Sequence, residues 1–182
     1  MNRADIAFHA GLIANGVVRN HKLTALPVNP IALAEAVGIH VSSKAAKGVS
    51  GMLLRSGNDF GIIYSTHIAS AGFQNFSIAH ELGHYFMPGH IDAVLRSNGI
   101  HQSHAGFDSD DQYELEADHF AAALLMPESL FTDAVGRAGG GLSAIEGLAD
   151  LCVTSLTATA IRYVKCTEDA AAVVMSAGRR IS

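Results

Sequence analysis

The chain is 182 residues long, with 49% hydrophobic side chains, 16% charged side chains and a formal net charge of −5 at pH 7. This length suits one ordinary domain with a sizeable core. The acidic balance argues against a general nucleic-acid or anionic-membrane surface, because binding to phosphates requires an excess of basic groups. The apolar composition suggests the hypothesis that a partner, or a second copy of the chain in a homodimer, covers part of the surface.

The cysteines and the first residues bear on the cellular compartment. Cys152 and Cys166 both lie in apolar stretches, which predicts reduced core residues rather than a disulfide framework. Polar residues interrupt the first twenty positions, so these do not resemble a signal peptide, and no apolar run reaches the length of a membrane span. We therefore expect a cytoplasmic protein without a membrane partner.

The first part of the chain predicts two helices and a strand. Residues 3–20 are rich in alanine and aliphatic side chains, which favours a helix. Asn29 and Pro30 then supply an N-cap and a proline at the first helical position of a short helix that ends near Val37. Residues 39–42 are expected to form a strand.

A hairpin and a long helix are predicted next. The runs 49–55 and 60–65 are typical of strands, and the polar residues between them favour a hairpin. A helix is expected from about Asn75 to Met87, where Pro88 and the glycine after it end it.

The second half of the chain predicts a long loop followed by helices. Residues 89–109 are expected to be a loop that forms one wall of a substrate cleft. Further elements are a helix over 110–126 with Ser109 and Gln112 as its capping box, a flexible joint at 139–141, a helix from Ser143 to Leu151 with Ser143 and Glu146 as its capping box, a helix over 155–165, and a strand over 170–175. We expect one domain over 1–182, with the catalytic core in 1–138 and a helical pair and strand in 142–182.

Two histidines four residues apart, with a glutamate directly after the first, provide the strongest chemical pattern. On a helix this spacing places His80 and His84 on one face, where both imidazoles can bind one Zn²⁺. Glu81 then lies beside the metal as a general base for a water molecule. The pattern is typical of zinc peptidases, although a buried helix with two incidental histidines would produce it as well.

Catalytic zinc usually has three protein ligands, so a third ligand is required. One candidate is Glu114 on the second long helix, with Glu116 as the alternative on that helix. Asp118 lies one turn after Glu114 on the same face, where it could accept the outer N–H of a ligating histidine.

The other candidate for the third ligand is His90. Its distance from His84 fits the metzincin pattern, in which a glycine turns the chain and presents a third histidine. That glycine would stand three residues after the second histidine, where this chain has Met87 instead. Met126 could be taken for the methionine turn of that class, but it ends a helical pattern and is more simply a core residue.

Peptide hydrolysis also requires a donor for the developing oxyanion. His101 and His104 in the long loop, and Tyr113 at the start of the second helix, are candidates for this role. The sequence does not distinguish among them, and for the two histidines it favours simple exposure to solvent in the loop.

The two motifs together resemble the ImmA/IrrE family of metallopeptidases. The resemblance rests on residues 76–84, 114–122 and 124–127, and extends to 27–30 with the hairpin and to 156–162. It implies a gluzincin-like zinc site with His80, His84 and Glu114 as ligands, Glu81 as general base and Asp118 supporting a ligand. Many members have a basic residue where this chain has Asn75. No separate DNA-binding domain is seen at the N-terminus, so we expect a minimal member or an excised catalytic domain.

Family members typically act in bacteria or their mobile elements, and several cleave a helix-turn-helix repressor in stress-response or transfer systems. The resemblance therefore implies a zinc peptidase with a repressor as its protein substrate. Two other functions stay open: a catalytically silent metal-binding sensor, and a helix-turn-helix-like module formed by 143–165, although direct DNA binding is disfavoured by the acidic charge. The expected fold is α+β, with a small antiparallel sheet packed against several helices.

Overall fold

The computed structural model describes residues 2–95, 98–104 and 109–174, and the backbone alone of 176–177 and 180–181. Its helices are α1 (Arg3–Asn20), α2 (Pro30–Ala36), α3 (Ala71–Phe86), α4 (His90–Val94), α5 (Gln112–Leu125), α6 (Glu128–Ala138), α7 (Gly141–Cys152) and α8 (Leu156–Cys166). Its strands are β1 (His40–Lys44), β2 (Gly51–Ser56), β3 (Asp59–Ser65), β4 (Ile100–Ser103), β5 (Ser176–Ala177) and β6 (Arg180–Ile181). The α+β class predicted from the sequence is confirmed.

The main sheet has the strand order β1-β3-β2-β4. The predicted hairpin is present as β2 and β3, which pair antiparallel with Leu53 opposite Ile62. β1 lies beside β3 rather than beside its sequence neighbour β2, and runs parallel to β3. Because β1, β2 and β3 alternate in direction along the chain, this placement makes the sheet mixed rather than wholly antiparallel.

The segment predicted as one long loop contains two regular elements among its described residues. α4 follows Gly89, whose φ of 82° is easily reached only by glycine. β4 pairs antiparallel with β2, placing His101 opposite Leu53, and forms an edge of the sheet. The prediction of a structureless loop was therefore wrong here, because pairing with a distant strand overrides a composition rich in Gly, Ser and Asn.

Helix α3 lies at the centre of the main hydrophobic core. One side packs on β2 and β3, and another packs on α5, which also packs against α1. The fully buried side chains of this core include Leu53, Ile62, Leu82 and Phe120. Gly83 allows α3 and α5 to approach closely, since a Cβ there would lie 3.0 Å from the Cα of Ala117. The core thus holds the two motif-bearing helices in direct contact.

A second hydrophobic cluster joins α6, α7 and α8. It is built from Met126, Phe131, Leu148, Cys152 and Tyr163, all of them buried. Met126 is therefore a core residue, as the sequence suggested. Cys152 and Cys166 are both free, and burial raises the pKa of the Cys152 thiol to about 11.

Several sequence-based boundaries were wrong. The N-cap of α5 is Asp111 rather than Ser109, and α7 begins at Gly141 with no side-chain cap. The helix α6 was not anticipated from the sequence. Residues 170–174 form no strand, and Met175, the last residue of that predicted strand, lies outside the described residues.

No single described helix combines the length and apolar character needed to cross a membrane. Taken together, α7 and α8 would meet those two criteria, but they are bent by 111° relative to each other.

Candidate metal centre

The two motif histidines lie on the buried face of α3. Ser70 caps the start of this helix by accepting a hydrogen bond from the backbone N–H of Phe73. His80 and His84 are each 0% exposed, and their Nε2 atoms are 3.1 Å apart. The helix therefore presents both Nε2 atoms at one point, as the four-residue spacing predicts.

Helix α5 brings Glu114 to the same point. Its carboxylate oxygens lie 3.3 Å from Nε2 of His80 and 3.5 Å from Nε2 of His84. Ligands bound tetrahedrally at the usual zinc distances of about 2.0–2.1 Å would be about 3.3 Å apart. The spacing of these three residues therefore fits one shared zinc ion.

A fourth group comes from the edge strand β4. Nε2 of His101 lies 3.1 Å from an oxygen of Glu114 and 3.0 Å from the hydroxyl of Ser103. Each of His80, His84, His101 and Glu114 offers one ligand atom, and these atoms all lie within 4.8 Å of one another. His101 is thus within reach of a fourth metal position or of a group bound there.

The other two oxyanion candidates are not part of this four-residue cluster. His104 is exposed and lines a separate surface depression with Ser65 and His67. Tyr113 is 39% exposed, and its ring packs edge-on against His90 at 5.0 Å between centroids. Of the three residues that the sequence left open, only His101 joins the metal-binding group.

Asp118 lies behind His80, where its one-turn spacing from Glu114 predicted it. Its Oδ1 is 2.7 Å from Nδ1 of His80, and the aspartate is 2% exposed. Burial opposes a charge on His80, but the hydrogen bonds to Asp118 and Glu114 outweigh it and raise the pKa of His80 to about 10. Without a metal, His80 therefore holds a proton, and Nδ1–H donates to Asp118.

The pKa values of His84 and Glu114 are lowered, whereas that of His80 is raised. Burial lowers the pKa of His84 to about 3, so this imidazole is neutral at pH 7, as a metal ligand must be. Burial works against ionisation of Glu114, but the hydrogen bonds from His101 and His80 hold its pKa well below the ordinary range. The cluster therefore offers a lone pair on His84 and an ionised carboxylate at neutral pH.

Among the described residues of this centre, Glu81 is the one buried side chain without a hydrogen bond. It is 0% exposed, and neither carboxylate oxygen has a partner among the described residues. Burial raises the pKa of Glu81 above its ordinary value, against the opposing charge of His80 and a smaller effect of the nearby Ser103 hydroxyl. That hydroxyl makes its hydrogen bond to His101 and lies outside hydrogen-bonding geometry with Glu81. Its carboxylate also faces Gly51 on β2, where a Cβ would come within 2.6 Å of Oε1. Such a carboxyl group is suited to accepting and returning a proton.

The rival third ligand, His90, lies behind His84 rather than beside the metal position. Its Nδ1 is 3.1 Å from Nδ1 of His84, and its Nε2 is 2.8 Å from Glu116. His90 therefore contacts the back of His84, Glu116 contacts His90, and neither belongs to the four-residue cluster. Sequence reasoning considered both as ligands and missed their contact, because it depends on the turn between α3 and α4.

The pair α7–α8 has a bend compatible with a helix-turn-helix, at 111°. However, Nε of Arg162, one of its few cations, donates to the backbone carbonyl of Met126. Leu148 and Tyr163 are buried in the second cluster. These contacts give the pair a packing role within the chain.

Comparison with known proteins agrees with the geometry. Residues 34–150 match the model of the Peptidase_M78 family, described as an IrrE N-terminal-like domain, and this range includes the hairpin, α3 and α5. A search of curated proteins found no significant match. Because the family model covers more than half of the chain and both motif helices, the chain belongs to the ImmA/IrrE family of metallopeptidases.

Proposed function

We propose that this protein is a zinc-dependent endopeptidase, with His80, His84 and Glu114 as zinc ligands and Glu81 as general base. The observation that carries the proposal is the buried, unpartnered carboxylate of Glu81 beside three ligand groups at tetrahedral spacing. Two imidazoles and a carboxylate are a ligand set typical of catalytic zinc. When bound there, zinc would polarise the scissile carbonyl and lower the pKa of a water molecule to about 7.

Glu81 would move the proton during hydrolysis. Its carboxylate takes a proton from the attacking water, whose oxygen bonds to the carbonyl carbon, and returns it to the leaving amine as the C–N bond breaks. Burial favours the protonated form of Glu81, which helps it to hold the proton between these two events. No other buried side chain in the described site is free for this exchange.

His101 would donate a hydrogen bond to the oxyanion that develops on the scissile carbonyl. It extends from the edge strand β4, and its Nε2 lies 3.1 Å from an oxygen of Glu114 in the metal-binding group. Electrostatic stabilisation at that position is worth several kcal/mol, roughly 3–4 for one donor. A substrate between β4 and the two motif helices would place its carbonyl near His101.

The protein substrate we propose is a partner repressor of the helix-turn-helix class in a bacterial regulatory or stress system. The support is family membership together with the family's typical role. A cytoplasmic location follows from the same proposal.

The metal is tested by elemental analysis of protein purified without added metal, with Glu114→Gln as the ligand variant. We expect about one zinc per chain in the parent protein and a clear loss in the variant. An equal zinc content in both proteins would show that Glu114 is not a ligand.

The base is tested by incubating the protein with a proteome-derived peptide library and mapping new termini by mass spectrometry. Glu81→Gln should keep its zinc and lose cleavage, because the amide cannot accept the water's proton. Cleavage by Glu81→Gln at the parent rate would refute the mechanism. Zinc without turnover in the parent, tested also on repressors from neighbouring genes, would favour the silent metal-binding sensor.

A further inference from the structure

Behind the proposed ligand His84 lie a second imidazole, that of His90, and the carboxylate of Glu116. The proposed mechanism uses neither of these two groups. Nδ1 of His84 faces Nδ1 of His90 at 3.1 Å, and Nε2 of His90 faces Oε2 of Glu116 at 2.8 Å. The other oxygen of Glu116 accepts a hydrogen bond from Nε2 of Gln112 at 2.7 Å. The result is a continuous line of three buried side chains that ends at a metal ligand.

The direction of each hydrogen bond in this line follows from the position of the ligand atom. Nε2 of His84 faces His80 and Glu114, so it must carry the lone pair that binds the metal. A neutral imidazole has one N–H, which then resides on Nδ1 of His84 and donates to Nδ1 of His90. His90 in turn must be protonated on Nε2, and it donates to the Glu116 carboxylate. Only this set of tautomers satisfies both contacts.

Two helices, α4 and α5, hold His90 and Glu116 in place. His90 is 1% exposed at the start of α4, and Glu116 is 5% exposed on α5. The ring of Tyr113 closes over His90 at an interplanar angle of 88°. The chain therefore fixes His90 by packing as well as by hydrogen bonds, which is the condition for orienting a ligand.

We propose that His90 and Glu116 are positioning residues that fix the Nδ1–H tautomer of His84 and increase its strength as a metal ligand. They do for His84 what Asp118 does directly for His80, with an imidazole inserted between carboxylate and ligand. Neither residue touches the substrate in this role. The inference rests on the metal site proposed above but not on peptidase activity.

The first test measures zinc affinity by competition with a chromophoric chelator at pH 7.5. His90→Phe keeps the buried ring and removes both hydrogen bonds, so we expect a loss of about 10–100-fold. His90→Asn retains an acceptor near the Nδ1 position and should recover part of that loss. Glu116→Gln should lie between the parent and His90→Phe, while the exposed control Glu146→Gln should match the parent.

The second test reads the tautomers directly in the unmodified protein. In the ¹⁵N spectrum of the zinc-loaded protein, His84 should carry its proton on Nδ1 and His90 on Nε2. A proton on Nδ1 of His90, or a His90→Phe variant within twofold of the parent affinity, would overturn the proposal. Because the spectrum needs no variant, poor folding of His90→Phe leaves the test decisive. A parent protein that shows the expected tautomers and zinc affinities but cleaves no substrate would support this proposal and count against the peptidase mechanism alone.

Discussion

Replacing Gly51 by alanine should displace the proposed general base while leaving the metal ligands in place. Gly51 begins β2, and a Cβ there would lie 2.6 Å from Oε1, 3.1 Å from Cγ and 3.2 Å from Cδ of Glu81. The contact involves three atoms of one buried side chain, so rotation of the carboxylate alone does not relieve it. Because Gly51 has no side chain, it leaves the room that the carboxylate of Glu81 occupies.

The size of the displacement can be worked from these distances. Contacts of a Cβ atom below 3.0 Å are essentially never seen, and ordinary van der Waals contacts of a Cβ begin at 3.4 Å, so Glu81 must move by about 0.4–0.8 Å. A misplacement of about 1 Å at a reacting group costs about 100-fold in rate, so we expect a loss of about 10–100-fold in kcat. The crowding should also cost about 1–3 kcal/mol of stability, partly offset by the lower backbone entropy of alanine.

The assay is kcat and KM on a peptide identified from the library, together with zinc content and thermal unfolding. The matched control is Gly61→Ala in the neighbouring strand β3, where the nearest atom is the His40 carbonyl oxygen at an ordinary 3.6 Å. Gly51→Ala should lose kcat with full zinc, and Gly61→Ala should not. Wild-type kcat in a zinc-loaded Gly51→Ala protein would refute the reasoning, and so would an equal loss in the control.

Three further predictions concern the metal centre. Gly83→Ala should separate α3 from α5, lower the free energy of unfolding by about 1–3 kcal/mol and weaken zinc binding. The control is Gly136→Ala, where a Cβ would meet nothing within 4 Å, and chemical denaturation should show it to be neutral or stabilising. Since zinc must displace the proton that His80 holds with a pKa of about 10, zinc affinity in chelator competition should rise with pH, about tenfold per unit between pH 7 and 9. A pH-independent affinity would contradict this. Asp118→Asn should flatten that slope and weaken zinc binding at pH 9 by about 10–100-fold.

The raised pKa of His80 also predicts how the stability of the metal-free protein changes with pH. The folded-state pKa of His80 lies above the ordinary value of 6.5, so its protonation stabilises the folded protein fully below about pH 6.5. That contribution is lost as the pH rises through about 10. Thermal unfolding of the metal-free protein should therefore show falling stability between pH 7 and 10, and a rising stability there would contradict the contact with Asp118.

The parts of the site that lie on single helices could be predicted from the sequence. His80 and His84 are four residues apart on α3, and Glu114 and Asp118 are four residues apart on α5. Helical periodicity alone places each pair on one face. That the two faces meet at one point could be inferred only from the resemblance to a family, and the structure brings them together.

The rest depends on contacts between distant segments, which local patterns do not encode. His101 reaches the cluster because β4 pairs with β2, a pairing that its loop-like composition conceals. His90 has the sequence spacing of a ligand, but the turn through Gly89 directs it to the back of His84. The contact of Gly51 with Glu81 has no sequence pattern at all.

The hydrogen bonding of this centre also bears on whether the metal would be catalytic. A closed structural site favours a full set of ligands, with the surrounding buried polar groups all paired. Here Asp118, His90 and Glu116 are paired, and Glu81 alone is buried without a partner among the described residues. An unpaired buried acceptor costs about 1–3 kcal/mol. A silent sensor would gain stability by filling that position with an apolar side chain, whereas a peptidase requires the carboxylate there with its hydrogen-bonding capacity free for water.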